Sequence, residues 1–273
     1  AGALFFFVPV ALVSAELAST FPEDGGMYLW IKEAFGPKWG LAAVLMQWMN
    51  SLPWFATVLV FVATTSAYVW NPALAESRLY VYAAIVVSMW LCTFASFRGI
   101  RAYAFLSAFG AIAGTLLPAF FIILLAGIHL WNAKPEIPVS PGAFLPDLRR
   151  PGDWMLLAGM MVSIAGIDMP AVHVRDVENP RKNFPRAILI SSVLILGTSI
   201  LGSLSIALIV NPAELSMASG TMEAFHILLK QERLGFLIAP TAFLLIAGAL
   251  ATALSWTLGP SKGLLKAAQE GLA

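Results

Sequence analysis

Seven stretches of this 273-residue chain contain no Asp, Glu, Lys or Arg: 1–15, 39–75, 79–97, 102–133, 154–167, 187–213 and 234–261. No other feature narrows the fold so far. About 20 apolar residues in a helix cross roughly 30 Å of hydrocarbon, and five of the runs reach or approach that length unaided. The first run starts with the chain, and the fifth reaches spanning length only by continuing through Asp168 to about Val174. Only closed hydrogen-bonded structures survive in lipid, and a helix satisfies its backbone within one segment. The runs therefore predict an all-α polytopic membrane protein with helices over 1–19, 40–70, 79–97, 105–131, 153–175, 185–210 and 234–260.

Composition agrees. Charged residues make up 11% and hydrophobic residues 59%, against roughly 25% charged in a soluble domain. The net charge of +1 offers no basic face to nucleic acid. One cysteine, Cys92, and three scattered histidines leave no ligand set for a metal, and no cofactor motif is present. A chain that starts apolar at Ala1-Gly2 and stops at Gln269–Ala273 is expected to be a single transmembrane domain truncated at both ends.

Lysine and arginine set the orientation. Connections 20–39, 98–104, 175–186 and the tail after 260 hold ten of the sixteen, so that side is cytoplasmic. Of the opposite connections, 132–152 carries five prolines and is not helical. Met222, Phe225, Leu228 and Leu229 recur at helical spacing within 221–233, which predicts a short amphipathic helix lying along the outer membrane surface.

The segment Ser163-Ile164-Ala165-Gly166-Ile167-Asp168-Met169-Pro170 is the one lipid would least tolerate. Asp168 lies roughly 22 Å along a helix counted from Asp153 at about 1.5 Å per residue. A carboxylate at such depth costs about 2.5–3.5 kcal/mol and so faces a cavity or a partner. Pro170 removes the helical donor to the Gly166 carbonyl, and Gly166 itself weakens the helix. A discontinuous helix is predicted, whose carbonyls can take an ammonium group; a proline kink with Asp168 bonded to a neighbouring helix is the plainer alternative.

Other polar groups read as cavity lining or as contacts between helices. Gln47, Asn50 and Ser51 share a face beside Pro53, and Thr252, Ser255 and Trp256 share the last helix. Ser191, Ser192, Thr198 and Ser199 read as packing, and Gly110 and Gly114 as a close helix contact. Glu16, at the cytoplasmic end of the first helix, suits a structural hydrogen bond better than chemistry. The run His173–Arg186 is a compact charged turn able to hold an inner gate, in which Pro180 ends one helix and Asn183 caps the next.

That turn and the broken helix together resemble the amino acid–polyamine–organocation (APC) transporter superfamily. Gly166-Ile167-Asp168, Ala171, Glu178-Asn179-Pro180 and Pro185-Arg186-Ala187-Ile188 are similar to its Gly-x-Glu … Asn-Pro … Pro-x-Ala-Ile signature. The first helix agrees through Ala15-Glu16-Leu17-Ala18, Phe21-Pro22 and Gly25-Gly26. Gly114–Phe120, His173 and Leu258–Leu264 look closest to the bacterial glutamate/GABA antiporter branch.

The resemblance implies helices two to eight of a twelve-helix, LeuT-like inverted-repeat transporter, working by alternating access around the break at 163–170. It implies substrate contacts from Ser163, Ile164, Ala165 and Gly166, with Thr252 and Trp256 on the last helix, and gating or coupling by Asp168 and Glu16. Where this branch is expected to carry a Glu, the chain has Thr252; the coupling lysine of some relatives has no counterpart in 102–133. Candidate partners are an amino acid or decarboxylated amine substrate, the lipid bilayer, protons and a second copy of the chain, in a bacterial inner membrane. Proton-coupled amino acid or polyamine permeation is the alternative within the superfamily. A retinal protein would need a lysine midway along 234–261, and there is none, which leaves a seven-helix receptor remote. A membrane hydrolase fails because His173 and Asp168 lie about 140° apart on a helical wheel.

Overall fold

A computed structural model describes residues 2–23, 25–98, 100–132, 135, 149–211, 215–216 and 218–272. Among the described residues there are ten α-helices and no strand. They are α1 (Val8–Thr20), α2 (Met27–Phe35), α3 (Pro37–Trp70), α4 (Arg78–Ser96), α5 (Ile100–Ala111), α6 (Leu117–Asn132), α7 (Pro151–Ser163), α8 (Pro180–Ile209), α9 (Gly220–Gln231) and α10 (Ile238–Gln269). Among the described residues five helical stretches are long and apolar enough to cross a membrane, and Phe5–Thr20 is a shorter apolar helix. In α4 only Ser88 is buried, and the large apolar side chains of Leu79, Val86, Val87, Trp90 and Leu91 are exposed. Such a surface suits lipid rather than water.

Helices do not stop where apolarity does. The last helix was expected to end near 260 but continues to Gln269, carrying Lys262 and Lys266 beyond the uncharged run. The connection 20–39 contains α2, which follows Gly26 and stops at Gly36, both at positive φ. Helix α8 begins at Pro180, earlier than the expected cap at Asn183. Proline is preorganised for a first helical position, so Pro180 starts a helix rather than ending one. The side chain of Asn183 instead donates to the Glu178 carbonyl at 2.6 Å.

The chain divides into two compact units. The first comprises Ala1–Asn50, Val139–Leu196 and Thr257–Ala273; the second comprises Ser51–Pro138 and Gly197–Trp256. In the first unit Phe7, Ala11 and Ala18 pack with Ile167, Ala171 and Val174, and with Phe184 and Ile188 of α8. Near its other end, Glu270 accepts hydrogen bonds from Tyr28 (2.7 Å) and Lys32 (2.8 Å) of α2. The Lys32 and Tyr28 contacts hold the Glu270 carboxyl below its ordinary value. Burial and the same carboxylate push the Tyr28 hydroxyl up to about 12.

The core of the second unit joins Ile122 and Leu125 of α6, Ile209 and Val210, Leu245 of α10, and the apolar face of α9. Met222, Phe225, Leu228 and Leu229 are fully buried there. The amphipathic spacing is therefore real, but that face is covered by protein rather than laid along lipid. Glu223 fixes the start of α9. Burial alone would raise its carboxyl, but the Ser216 N–H and the hydroxyls of Ser219 and Ser216 hold it below the ordinary value. At the other end His129 meets Glu232 at 3.1 Å. The expected proline-rich loop 132–152 lies almost wholly outside the described residues.

Candidate functional site

In the first unit, α7 stops at Ser163 and a 3-10 helix resumes at Met169 and runs to Asp176. Between them Gly166 takes φ +107°, a conformation closed to most side chains. The final turn tightens, with Ala165 N–H donating to the Val162 carbonyl at 3.3 Å. Pro170 cannot donate, yet the Gly166 carbonyl accepts from the Met169 N–H at 3.1 Å. The carbonyl that the sequence left without a donor is thus satisfied by a tighter turn. Among the described residues no hydrogen bond reaches the carbonyls of Ile164 or Ala165.

Around the break, Ile167 is buried and Asp168 half-buried, while Ser163 and Ala165 are exposed. Asp168 precedes the 3-10 helix without capping it, and its carbonyl accepts from Ala171 N–H at 3.0 Å. Gln47 donates to Met169 Sδ at 3.0 Å, placing one of the α3 polar groups beside the resumed segment. Glu16 is exposed; its backbone carbonyl accepts from Ser19 Oγ at 2.8 Å, and among the described residues its carboxylate makes no hydrogen bond or ion pair.

The charged turn is tied to α10. Lys262 Nζ lies 2.8 Å from His173 Nδ1 and 3.2 Å from Asp176 Oδ2, and it donates to the Val172 carbonyl at 3.5 Å. An ammonium can only donate, so His173 accepts on Nδ1. Two segments that the sequence offered separately, the one at His173 and the one at Lys262, are therefore in contact.

Thr252 and Trp256 belong to the second unit, where a cavity of about 340 Å³ opens beside α10. Thr252 lines it, with Thr115, Thr198, Ser199 and Ser203, and Phe61 and Phe225 supply apolar wall. No residue of the lining is charged. Thr198 and Ser199, expected as packing, are thus cavity residues. Their signal in the sequence was a run of hydroxyls recurring with Ser203 along one helix, but helix packing gives the same run.

A π turn shapes this wall. Over Ile112–Leu116 the helix widens, and the Leu117 N–H reaches back to the Ile112 carbonyl. Pro118 follows two residues later, just as Pro9 follows the π turn Ala3–Phe7. A helix that widens ahead of a proline avoids the clash with the preceding turn. On the same stretch, a Cβ on Gly114 would collide with the backbone of Gly248, and one on Gly110 with Ala251 of α10. The close contact expected of these glycines is made, and Thr252 sits one turn beyond Gly248. Its hydroxyl donates to the Gly248 carbonyl at 2.8 Å.

Trp256, one turn further, stacks on Trp54 with ring centroids 4.7 Å apart and planes at 24°. The sequence singles out Trp256, but nothing in it singles out Trp54. No local signal could join two residues about two hundred positions apart.

Helices long and apolar enough to span a membrane, beside one interrupted around a glycine and a carboxylate, define a multi-pass membrane protein. Residues 1–273 match the amino acid permease family, and the chain belongs to that family. It is 36% identical over 269 residues to an uncharacterized transporter of Legionella pneumophila, covering 98% of this chain and 58% of that protein. It is 30% identical over 276 residues to a glutamate/gamma-aminobutyrate antiporter of Lactococcus lactis, covering 99% and 55%. A probable agmatine/putrescine antiporter of the same species is 24% identical over 275 residues, covering 97% and 56%. The chain spans about half the length of the curated relatives it matches.

Proposed function

We propose that the full protein exchanges an amino acid for a related amine or amino acid across a bacterial inner membrane, by alternating access around the break between Ser163 and Met169. The observation that carries this reading is the interrupted helix, with Gly166 at φ +107° and, among the described residues, no hydrogen bond to the Ile164 and Ala165 carbonyls. Broken backbone at membrane depth is tolerated where it lines a cavity or protein, and discontinuous helices hold substrates in several transporter folds. Similarity to a glutamate/gamma-aminobutyrate antiporter supports the substrate class.

On this reading Ser163, Ile164, Ala165 and Gly166 offer backbone to the substrate. Asp168 gates or couples, and Thr252 and Trp256 select from α10. Glu16 serves gating only through its position on the helix that packs against the resumed segment. Seven spans, with the break inside the fifth, form one transporter domain.

The test is counterflow with the full-length protein in liposomes, loaded in turn with a panel of amino acids and their decarboxylation products. Uptake that requires a loaded partner substrate is expected. Uptake driven by a pH gradient with empty liposomes would replace exchange by proton-coupled permeation.

A further inference from the structure

We infer that Trp54 is a positioning residue for Trp256: it holds the indole of α10 in the orientation from which Trp256 meets the substrate. This rests on the proposed role of Trp256. Two observations carry it.

The first is how differently the backbone and the ring of Trp256 are held. Helix α10 is seated by the glycine contacts at Gly248 and Ala251 and by Ser255, whose hydroxyl donates to the Ala251 carbonyl at 3.0 Å and lies 3.4 Å from Ser107 Oγ. The Trp256 ring shares none of these contacts. Among the described residues its Nε1 makes no hydrogen bond, and Trp54 is the ring stacked on it. An indole without a partner for its N–H depends on ring packing for its orientation.

The second is how Trp54 is itself supported. It follows Pro53 inside α3, and Phe55 meets it edge-on at 5.6 Å and 75°. Thr57 Oγ1 donates to the Pro53 carbonyl at 3.0 Å, bracing the turn that carries the ring. Trp54 therefore enters the stack from a buttressed helix. Trp256 lies one helical turn after Thr252 on α10. The stack commits one indole face to Trp54.

The test uses exchange kinetics of the full-length protein in liposomes, with Trp54→Ala, Trp54→Phe, Trp54→Leu, Trp256→Ala and the double alanine variant. Trp54→Ala should raise KM about three- to tenfold, the range an aromatic pair supports, with a smaller change in kcat. Trp54→Phe should recover most of the loss, and Trp54→Leu should not. The double variant should be no worse than Trp256→Ala alone, because positioning has no effect once its target is gone. The near-ultraviolet circular dichroism arising from the stacked pair should fall equally in either single alanine variant.

Additive losses in the double variant would overturn the inference, and so would equal KM for Trp54→Phe and Trp54→Leu. An unchanged KM in Trp256→Ala would instead overturn the substrate role of Trp256, a separate failure. If Trp54→Ala does not insert, the Phe and Leu variants decide the matter between them.

Discussion

Pro118 and Pro170 pose the same problem to a helix and receive opposite solutions. Each lacks an N–H and crowds the turn before it. Ahead of Pro118 the helix widens into a π turn over Ile112–Leu116 and continues as α6. Ahead of Pro170 it stops at Ser163 and resumes only at Met169. The neighbouring glycines differ as well. Gly114 lies against the backbone of Gly248, so a helix that stays intact gains a close contact with α10. Gly166 instead turns to φ +107°. A proline alone does not decide whether a membrane helix breaks: before one, Gly114 is held in a helical contact, and before the other, Gly166 takes a positive φ.

That contrast can be broken at either glycine. Gly114→Ala places a methyl against the Gly248 backbone and should destabilise the protein by about 3 kcal/mol, the upper end for overpacking. Denaturation midpoints in detergent measure it, and an unchanged midpoint would mean the two helices can part without cost. Gly166→Ala should cost less, about 2 kcal/mol for a strained conformation, while slowing exchange more than Gly114→Ala does. If both variants lost stability and transport in the same proportion, the break would be no more functional than the π turn.

Asp168→Asn tests the break without touching its backbone. The variant should insert normally and exchange about tenfold more slowly, equivalent to ~1.4 kcal/mol in barrier. Its rate should also vary less between about pH 5 and 8 than that of the unmodified protein. Wild-type rates throughout would make Asp168 structural. Thr252→Glu should leave stability unchanged and alter the ranking of acidic against neutral substrates, read from competition in the same exchange assay. An unaltered ranking would return Thr252 to the packing of α10.

The smallest effect belongs to the clamp of Glu270 on Tyr28 and Lys32. Because its partners hold the Glu270 carboxyl low, the clamp's contribution is complete above the ordinary 4.5 and is lost as pH falls through the lower folded value. Amide exchange at the end of α10 should therefore rise in acid, and Glu270→Gln should remove that dependence. An acid-insensitive wild type would show the clamp contributes nothing to holding the helix end.

Spans and break were legible because lipid penalises charge and unpaired backbone so heavily that Asp168, Gly166 and Pro170 stand out in one dimension. Residue choice alone did not report where helices end. Met27–Phe35 reads as a short apolar piece of a connection until Tyr28 and Leu29 are seen to be buried. The Lys262–His173 contact and the Trp54–Trp256 stack were invisible for another reason. Each depends on how distant helices meet, which periodicity within one helix does not encode.

The π turn has one further consequence. It contains one residue more than an α-helix would use for the same advance, and each residue rotates a helix by about 100°. The half before it, with Gly110, and the half after it, with Ile122 and Leu125, are therefore out of phase with a single continuous wheel. Gly110 lies against α10, while Ile122 and Leu125 share a core with α9 and with Leu245 of α10. Deleting one residue within 112–116 would give a smoother helix and aim one of the two faces at the wrong neighbour. In this stretch of the family, a one-residue gap between relatives would signify a rotated surface rather than a shortened loop.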